Sequence, residues 1–130
     1  MLLLKLIFPF WMLVLAVDSV HAQSDSLKVK EFVLCKDVIE REPVDVVQSF
    51  SANDERGWVF ARIHNSNGFQ NVTFRWLHNE EIYSEVETKI GNSDNWRTYS
   101  NAAIQEGFWK VQLLSESDSL LREIRFTISE

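Results

Sequence analysis

Few side chains in this sequence stand where their types could converge on chemistry. Ser100 is a conceivable nucleophile, but no Gly-x-Ser-x-Gly elbow surrounds it. Its base would have to come from a distant turn, so a hydrogen bond where a strand meets a loop is the role its type favours. His64 and His78 fall in turn-like stretches, and neither His-x-His, His-Glu-x-x-His nor a cysteine pair accompanies them. A metal site needs such further ligands, so no metal is expected. Glu80/Glu81 and Glu85/Glu87 are acidic pairs of the kind glycosidases use. Glu85 and Glu87, however, share the outer face of a strand, where charge is ordinary solvation. No cofactor motif is present, and no catalytic set is predicted.

Binding residues are easier to find. Trp96-Arg97-Thr98-Tyr99-Ser100 and Gly107-Phe108-Trp109-Lys110-Val111 put two tryptophans, an arginine and a glycine in one short window. Arg97 could take an anionic ligand bidentately or pair internally with a carboxylate such as Asp94; the internal pair is the expectation. Trp58, Phe60, Phe69, Phe74, Trp76, Tyr83, Trp96, Tyr99, Phe108 and Trp109 make a large aromatic complement, most of it needed to fill a core. Phe69, beside the Asn67-Gly68 turn, and Tyr83, out of phase with the apolar residues around it, are the best candidates for exposure, with plain core filling the expectation for the rings as a set. Exposed in a row, such rings form a stacking platform for a sugar or an anchor for a peptide. The ligand-binding candidates are therefore Arg97, Tyr83 and Phe69. Trp76, Trp96, Ser100, Gly107 and Trp109, together with Arg97, form a structural motif in which both tryptophans of the window plug the core.

The elements that must position these residues are short strands. Val29 to Ile39 is rich in β-branched residues, and Val44 to Phe50 can form a short second strand or a bridge after Glu40-Arg41-Glu42-Pro43, a charged turn. Ser51 to Gly57 is a loop by composition. Trp58 to Ile63 carries large residues on both faces. Asn67-Gly68 predicts a hairpin or tight turn, because both residues accept positive φ. In Val72 to Leu77, Val72, Phe74 and Trp76 share a face. From Ile82 to Ile90, Ile82, Val86 and Ile90 point inward and Tyr83, Glu85, Glu87 and Lys89 outward. Gly91 to Asn95 is a loop, Asn101 to Glu106 a helical turn or crossing loop, and Ser115 to Ser119 a hairpin loop between Phe108–Leu114 and Leu120–Ile128. Seven or eight strands, with turn signals about every ten residues and no sustained helical period, predict an all-β fold: one antiparallel β-sandwich of immunoglobulin-like architecture.

The N-terminus is of another kind. Leu6 to Val17 has the length of a secretory apolar segment, is preceded by Lys5, and leads to Val20-His21-Ala22. Residues 1–22 are expected to be a signal peptide, cleaved after Ala22; the alternative is an uncleaved membrane anchor over residues 2–17. Residues 23–28 are polar and small, a flexible leader, and residues 29–130 form the sandwich. The 108 residues after Ala22 (130 − 22) suffice for a core without disulfides. The single cysteine, Cys35, lies among apolar neighbours and is read as a core residue. The net charge of −6 argues against nucleic acid and against anionic membranes as partners.

At the Trp96–Ser100 and Gly107–Val111 segments, the chain resembles a bacterial family catalogued only as domain of unknown function 2914. That family pairs an aromatic-Arg-Thr-x-Ser segment with Gly-x-Trp-x-Val and ends on a strand like Phe126-Thr127-Ile128. Its His-x-Trp strand aligns with Phe74-Arg75-Trp76, where Phe74 replaces the histidine, and its usual glycine is missing at Glu80-Glu81. The resemblance spans Val29 to Ile128 and implies an extracytoplasmic bacterial β-sandwich without an assigned activity. Together these readings predict an exported, non-catalytic binding module, periplasmic or extracellular, whose partner is a protein or glycan of the cell envelope. The alternatives are a small carbohydrate-binding module using exposed aromatics, and a hydrolase using Ser100.

Overall fold

A computed structural model describes residues 26–129. The segment read as a signal peptide lies outside the described residues. The strands are β1 (Leu27–Ile39), β2 (Glu42–Val47), β3 (Arg56–Asn65), β4 (Gln70–His78), β5 (Glu81–Ile90), β6 (Ser93–Ala103), β7 (Gly107–Leu114) and β8 (Leu120–Ile128). They form two four-stranded sheets, ordered β2-β1-β3-β6 and β5-β4-β7-β8, and every ladder is antiparallel. The all-β sandwich read from the strand pattern is the fold. β1 begins two residues earlier than expected, since Leu27 and Lys28 already pair with Asn65 and His64.

Alternation builds the core. On β3, Val59, Ala61 and Ile63 are fully buried; opposite them, Val72, Phe74 and Trp76 of β4 and Trp109, Val111 and Leu113 of β7 point the same way into the interior. Phe50, from the connection after β2, closes one end and meets Phe126 edge-on with ring centroids 5.4 Å apart. Trp76 and Trp109 pack edge to face at 6.3 Å, and Trp109 stacks on Phe126 at 6.1 Å. The Trp76 indole N–H donates to the hydroxyl of Ser100 at 3.1 Å, joining β4 of one sheet to β6 of the other.

Four local expectations are corrected. Asn67-Gly68 is a turn, with Gly68 at φ +64°, but not a hairpin: it carries the chain from the first sheet to the second, because β3 and β4 each pair with other strands. The loop expected over Gly91–Asn95 shortens to two residues, since β6 already begins at Ser93. β6 also runs on to Ala103, leaving only 104–106 to cross between sheets. On β5 the phase is inverted near its start, because the β4–β5 register slips between Trp76 and Leu77. Tyr83 turns toward the core rim against Trp109, at 5.0 Å, while Ile82 is 59% exposed. Val86, past the slip, stays opposite the inward Phe74 as expected and is 45% exposed because β5 is an edge strand.

Phe60 corrects the expectation that the buried rings fill the space between the sheets. It lies on the outer face of β3, opposite in direction to Val59 and Ala61, yet is fully buried. Its cross-strand neighbours are Val33 and Tyr99. The far end of the β1–β2 hairpin bends back over this face as an arm, and Glu42 near its tip reaches Arg62 on β3 and Arg97 on β6. Cys35, also fully buried, sits under the arm's base, where burial raises its thiol pKa and backbone hydrogen bonds from Asp37 and Val44 oppose that rise. Phe60 and Cys35 thus form a small second core outside the sandwich.

Replacing Ser100 with alanine should leave the buried Trp76 N–H without an acceptor and lower stability by about 1–3 kcal/mol. Urea unfolding should show a lower midpoint at unchanged slope.

Candidate functional site

Where β3 hands over to β4 and β5 to β6, both connections cross between the sheets at one corner. A buried side chain, Asn65, holds them together. Its amide nitrogen donates to the carbonyls of Gly68 at 2.7 Å and Gly91 at 2.9 Å. Its amide oxygen accepts from the Asn67 backbone N–H at 3.1 Å and from Gln70 Nε2 at 2.8 Å. With both ends of the amide partnered, burying the group carries no desolvation penalty for an unpaired atom. Sequence reading placed Asn65 in a turn, where its type was only one of several polar residues.

This pin sets the position of two rings. Gly91 lies between Phe69 and Trp96 so closely that a Cβ there would come within 2.8 Å of the Trp96 ring and 3.3 Å of the Phe69 ring. Phe69, a candidate for exposure beside its turn, is 74% exposed and does not fill the core. Lys89 Nζ lies 5.6 Å from its centroid, and the Arg41 guanidinium lies 5.9 Å from that of Trp96. Trp96 does not plug the core as the sequence suggested; it packs half-buried at the core's rim. Two adjoining clefts, of about 340 and 430 Å³, share Arg41, Trp96 and Arg97 in their walls, with Asn92 and Asn95 on one side and Lys89 and Tyr99 on the other. In an acidic chain, this corner gathers three cations around aromatic surface.

Of the three predicted ligand residues, Phe69 and Arg97 belong to this corner. Tyr83 does not: it is 42% exposed and packs edge-on against Trp109 and, at 6.2 Å, against His78, at the other end of the sandwich. The register slip that inverted β5 is the reason. Arg97 makes an internal pair, but not with Asp94. Its Nη1 meets Glu42 Oε2, whereas Asp94 pairs with His64 at 3.0 Å. Strand alternation explains the exchange: Arg97 stands directly opposite Arg62 on the outer face of the first sheet, under the arm that brings Glu42. Arg62 in turn binds Glu31 through Nε and Glu42 through Nη2, each at 3.1 Å. The Glu42 carboxylate therefore bridges two guanidiniums, one oxygen to each. Hydrogen bonds from Arg97 first and Arg62 second hold its pKa below the ordinary glutamate range.

The remaining motif residues have structural contacts. Ser100 is buried, with its hydroxyl accepting from Trp76. Trp109 Nε1 donates to the Gln105 carbonyl at 2.9 Å. Gly107 opens β7 at φ +135°, and a Cβ there would stand 2.4 Å from His78 Nε2, which itself donates to the Glu106 carbonyl at 2.9 Å. Only glycine combines that φ with that approach. Among the described residues, no group of three His, Cys, Asp or Glu side chains is placed to hold a metal ion.

Fold and corner together define a small antiparallel sandwich with a cationic-aromatic patch where its sheets are joined. Residues 70–128 match the family described as "Protein of unknown function (DUF2914)", so β4 through β8 are DUF2914-like, as the Trp96–Ser100 and Gly107–Val111 segments implied. The match begins at Gln70, and β1 to β3, with the arm, lie ahead of it. No curated protein matches the chain.

Two predictions follow from the geometry of the corner. Asn65→Ala removes four hydrogen bonds and should cost about 3 kcal/mol or more. Asn65→Asp should not rescue it, because a carboxylate oxygen would face the Gly68 and Gly91 carbonyls. Thermal unfolding, with amide exchange at residues 66–69 and 91–92, reads both variants. The arm should respond to acid. A lowered Glu42 pKa means that docking gains from the ionised carboxylate above the free-glutamate value and loses this gain as pH falls through the lowered one. Around Glu42 stand Arg41, Arg62, Arg97 and Glu31, with Glu40 and Asp45 on the arm itself. Amide protection factors over residues 37–45, corrected for the intrinsic slowing of exchange in acid, should fall as pH drops below the free-glutamate value, while those of β4 and β7 hold. Unchanged protection of the arm across that range would contradict this account.

Proposed function

We propose that the chain is an exported, non-catalytic binding module whose recognition surface is the corner formed by Phe69, Lys89, Trp96, Arg97 and Arg41. The observation that carries this reading is Phe69. A phenylalanine this exposed, on a backbone held by the buried Asn65 amide, is a rigid apolar contact that the core does not need. Cations flank it and the adjoining Trp96, so the surface suits a ligand with an apolar or sugar face beside negative charge. The sequence supports export through its N-terminal apolar segment. The partner is then a protein or glycan of the cell envelope.

A carbohydrate-binding module is the second reading. The same exposed ring favours it, since sugar faces stack on aromatic surfaces. Tyr83 drops out of that reading, because its ring packs on Trp109 rather than beside Phe69.

Capture from an envelope extract and binding to a glycan array, both with the full chain, test the surface and separate the two readings. Phe69→Ala and Trp96→Ala should each weaken the bound partner about tenfold or more, as truncation of an aromatic anchor does. Tyr83→Ala should leave binding near the wild-type level. Equal retention by all three variants would remove the corner as the recognition surface.

A further inference from the structure

Arg62 and Arg97 face each other across the β3–β6 ladder. Like charges placed directly opposite are unfavourable unless an anion lies between them. Here the anion is Glu42, and it arrives on an arm built at a conformational cost. The turn at its tip places both Glu40 and Arg41 at positive φ, 52° and 63°, and Asp45 follows at 56°. Glu40 and Arg41 are not of the types that adopt this conformation readily, glycine, asparagine and aspartate, whereas Asp45 is. Glu42 itself is half exposed, so its grip on the arginines is open to competition from solvent.

Arg97 donates to no other carboxylate among the described residues, whereas Arg62 also holds Glu31. If Glu42 leaves, Arg97 is left uncompensated beside Arg41 and Lys89, in the clefts that Trp96 and Tyr99 also line. The arm thus covers a cationic pair with a carboxylate of its own.

We propose that the Arg62–Arg97 pair is a binding site for a carboxylate-bearing sugar, and that Glu42 is an internal stand-in which such a ligand displaces, lifting the β1–β2 arm off Phe60 and Cys35. The carboxylate of the ligand takes the place of the Glu42 oxygens, one to each guanidinium, and its ring lies against the aromatic wall beside Arg97. This rests on the corner being a recognition surface, and it adds the ligand class and the gate.

The test compares the full chain with Glu42→Gln, which keeps the shape of the side chain and removes its charge. Glucuronate, acetate and glucose are titrated at low ionic strength by calorimetry. Glu42→Gln should bind glucuronate about tenfold or more tightly than the wild type, since the competing charge is gone. Acetate should bind more weakly than glucuronate, and glucose should show no gain from the substitution. Adding Arg97→Gln to Glu42→Gln should abolish the gain. In the wild type, which needs no variant to fold, glucuronate at constant ionic strength should speed maleimide labelling of Cys35, and glucose should not. Equal glucuronate affinity in the wild type and Glu42→Gln, survival of the gain without Arg97, or labelling that ignores glucuronate would each overturn the proposal. Phe69→Ala separates the two readings. If it abolishes partner capture while Glu42→Gln changes nothing, the recognition surface stands and the gate falls. If glucuronate depends on Glu42 and Arg97 while Phe69→Ala and Trp96→Ala leave all binding intact, the carboxylate site stands and the wider surface falls.

Discussion

The buried amide of Asn65 is the constraint on which the corner depends. Two chain crossings between the sheets meet there, and each turns a backbone carbonyl toward the buried Asn65 amide. One side chain with two donors and two acceptor lone pairs serves both crossings at once. The same contact brings Phe69 against Gly91 and Trp96 from residues that are far apart in sequence. An apolar side chain could fill the volume of Asn65, but it would leave the Gly68 and Gly91 carbonyls without these partners. At the other end of the sandwich, the Trp76–Ser100 bond does similar work with a single donor.

The arm works on a different principle. The sandwich core is closed by alternation and needs no help from it. On the outer face of the first sheet, Phe60 and Cys35 would otherwise meet solvent, and Arg62 and Arg97 would oppose each other. The arm relieves both conditions, with apolar cover at its base and a bridging carboxylate near its tip. Its tip reaches the sheet through Glu42 on Arg62 and Arg97 and through Arg41 against Trp96, and its turn places Glu40 and Arg41 at a φ their types resist.

Much of this was legible from the order of residue types. Period-two alternation on β4 and β7 announced Phe74, Trp76, Trp109 and Val111 as interior residues, and turn chemistry marked the strand ends. Errors came where a long-range event outweighed a local pattern. Ile82 and Tyr83 continue the alternation of the strand, but the register slip at Trp76/Leu77 moved Tyr83 onto Trp109, and a slip of one residue reverses the faces. Asp94 was the nearest carboxylate to Arg97 along the chain, yet Glu42, 55 residues away, became its partner because the arm folds over the sheet. Phe60 alternates as an outward residue and is buried nonetheless, for the same reason.

The sequence by itself determined the class of fold and the aromatic interior, because each rests on side-chain type and short-range spacing. The tertiary structure alone decided that Phe69, Trp96, Arg97 and Arg41 share one corner, that Asn65 joins two crossings, and that Glu42 sits between two arginines. Those relations depend on which strands pair and where a hairpin bends, and no local pattern encodes distances between residues so far apart in the chain.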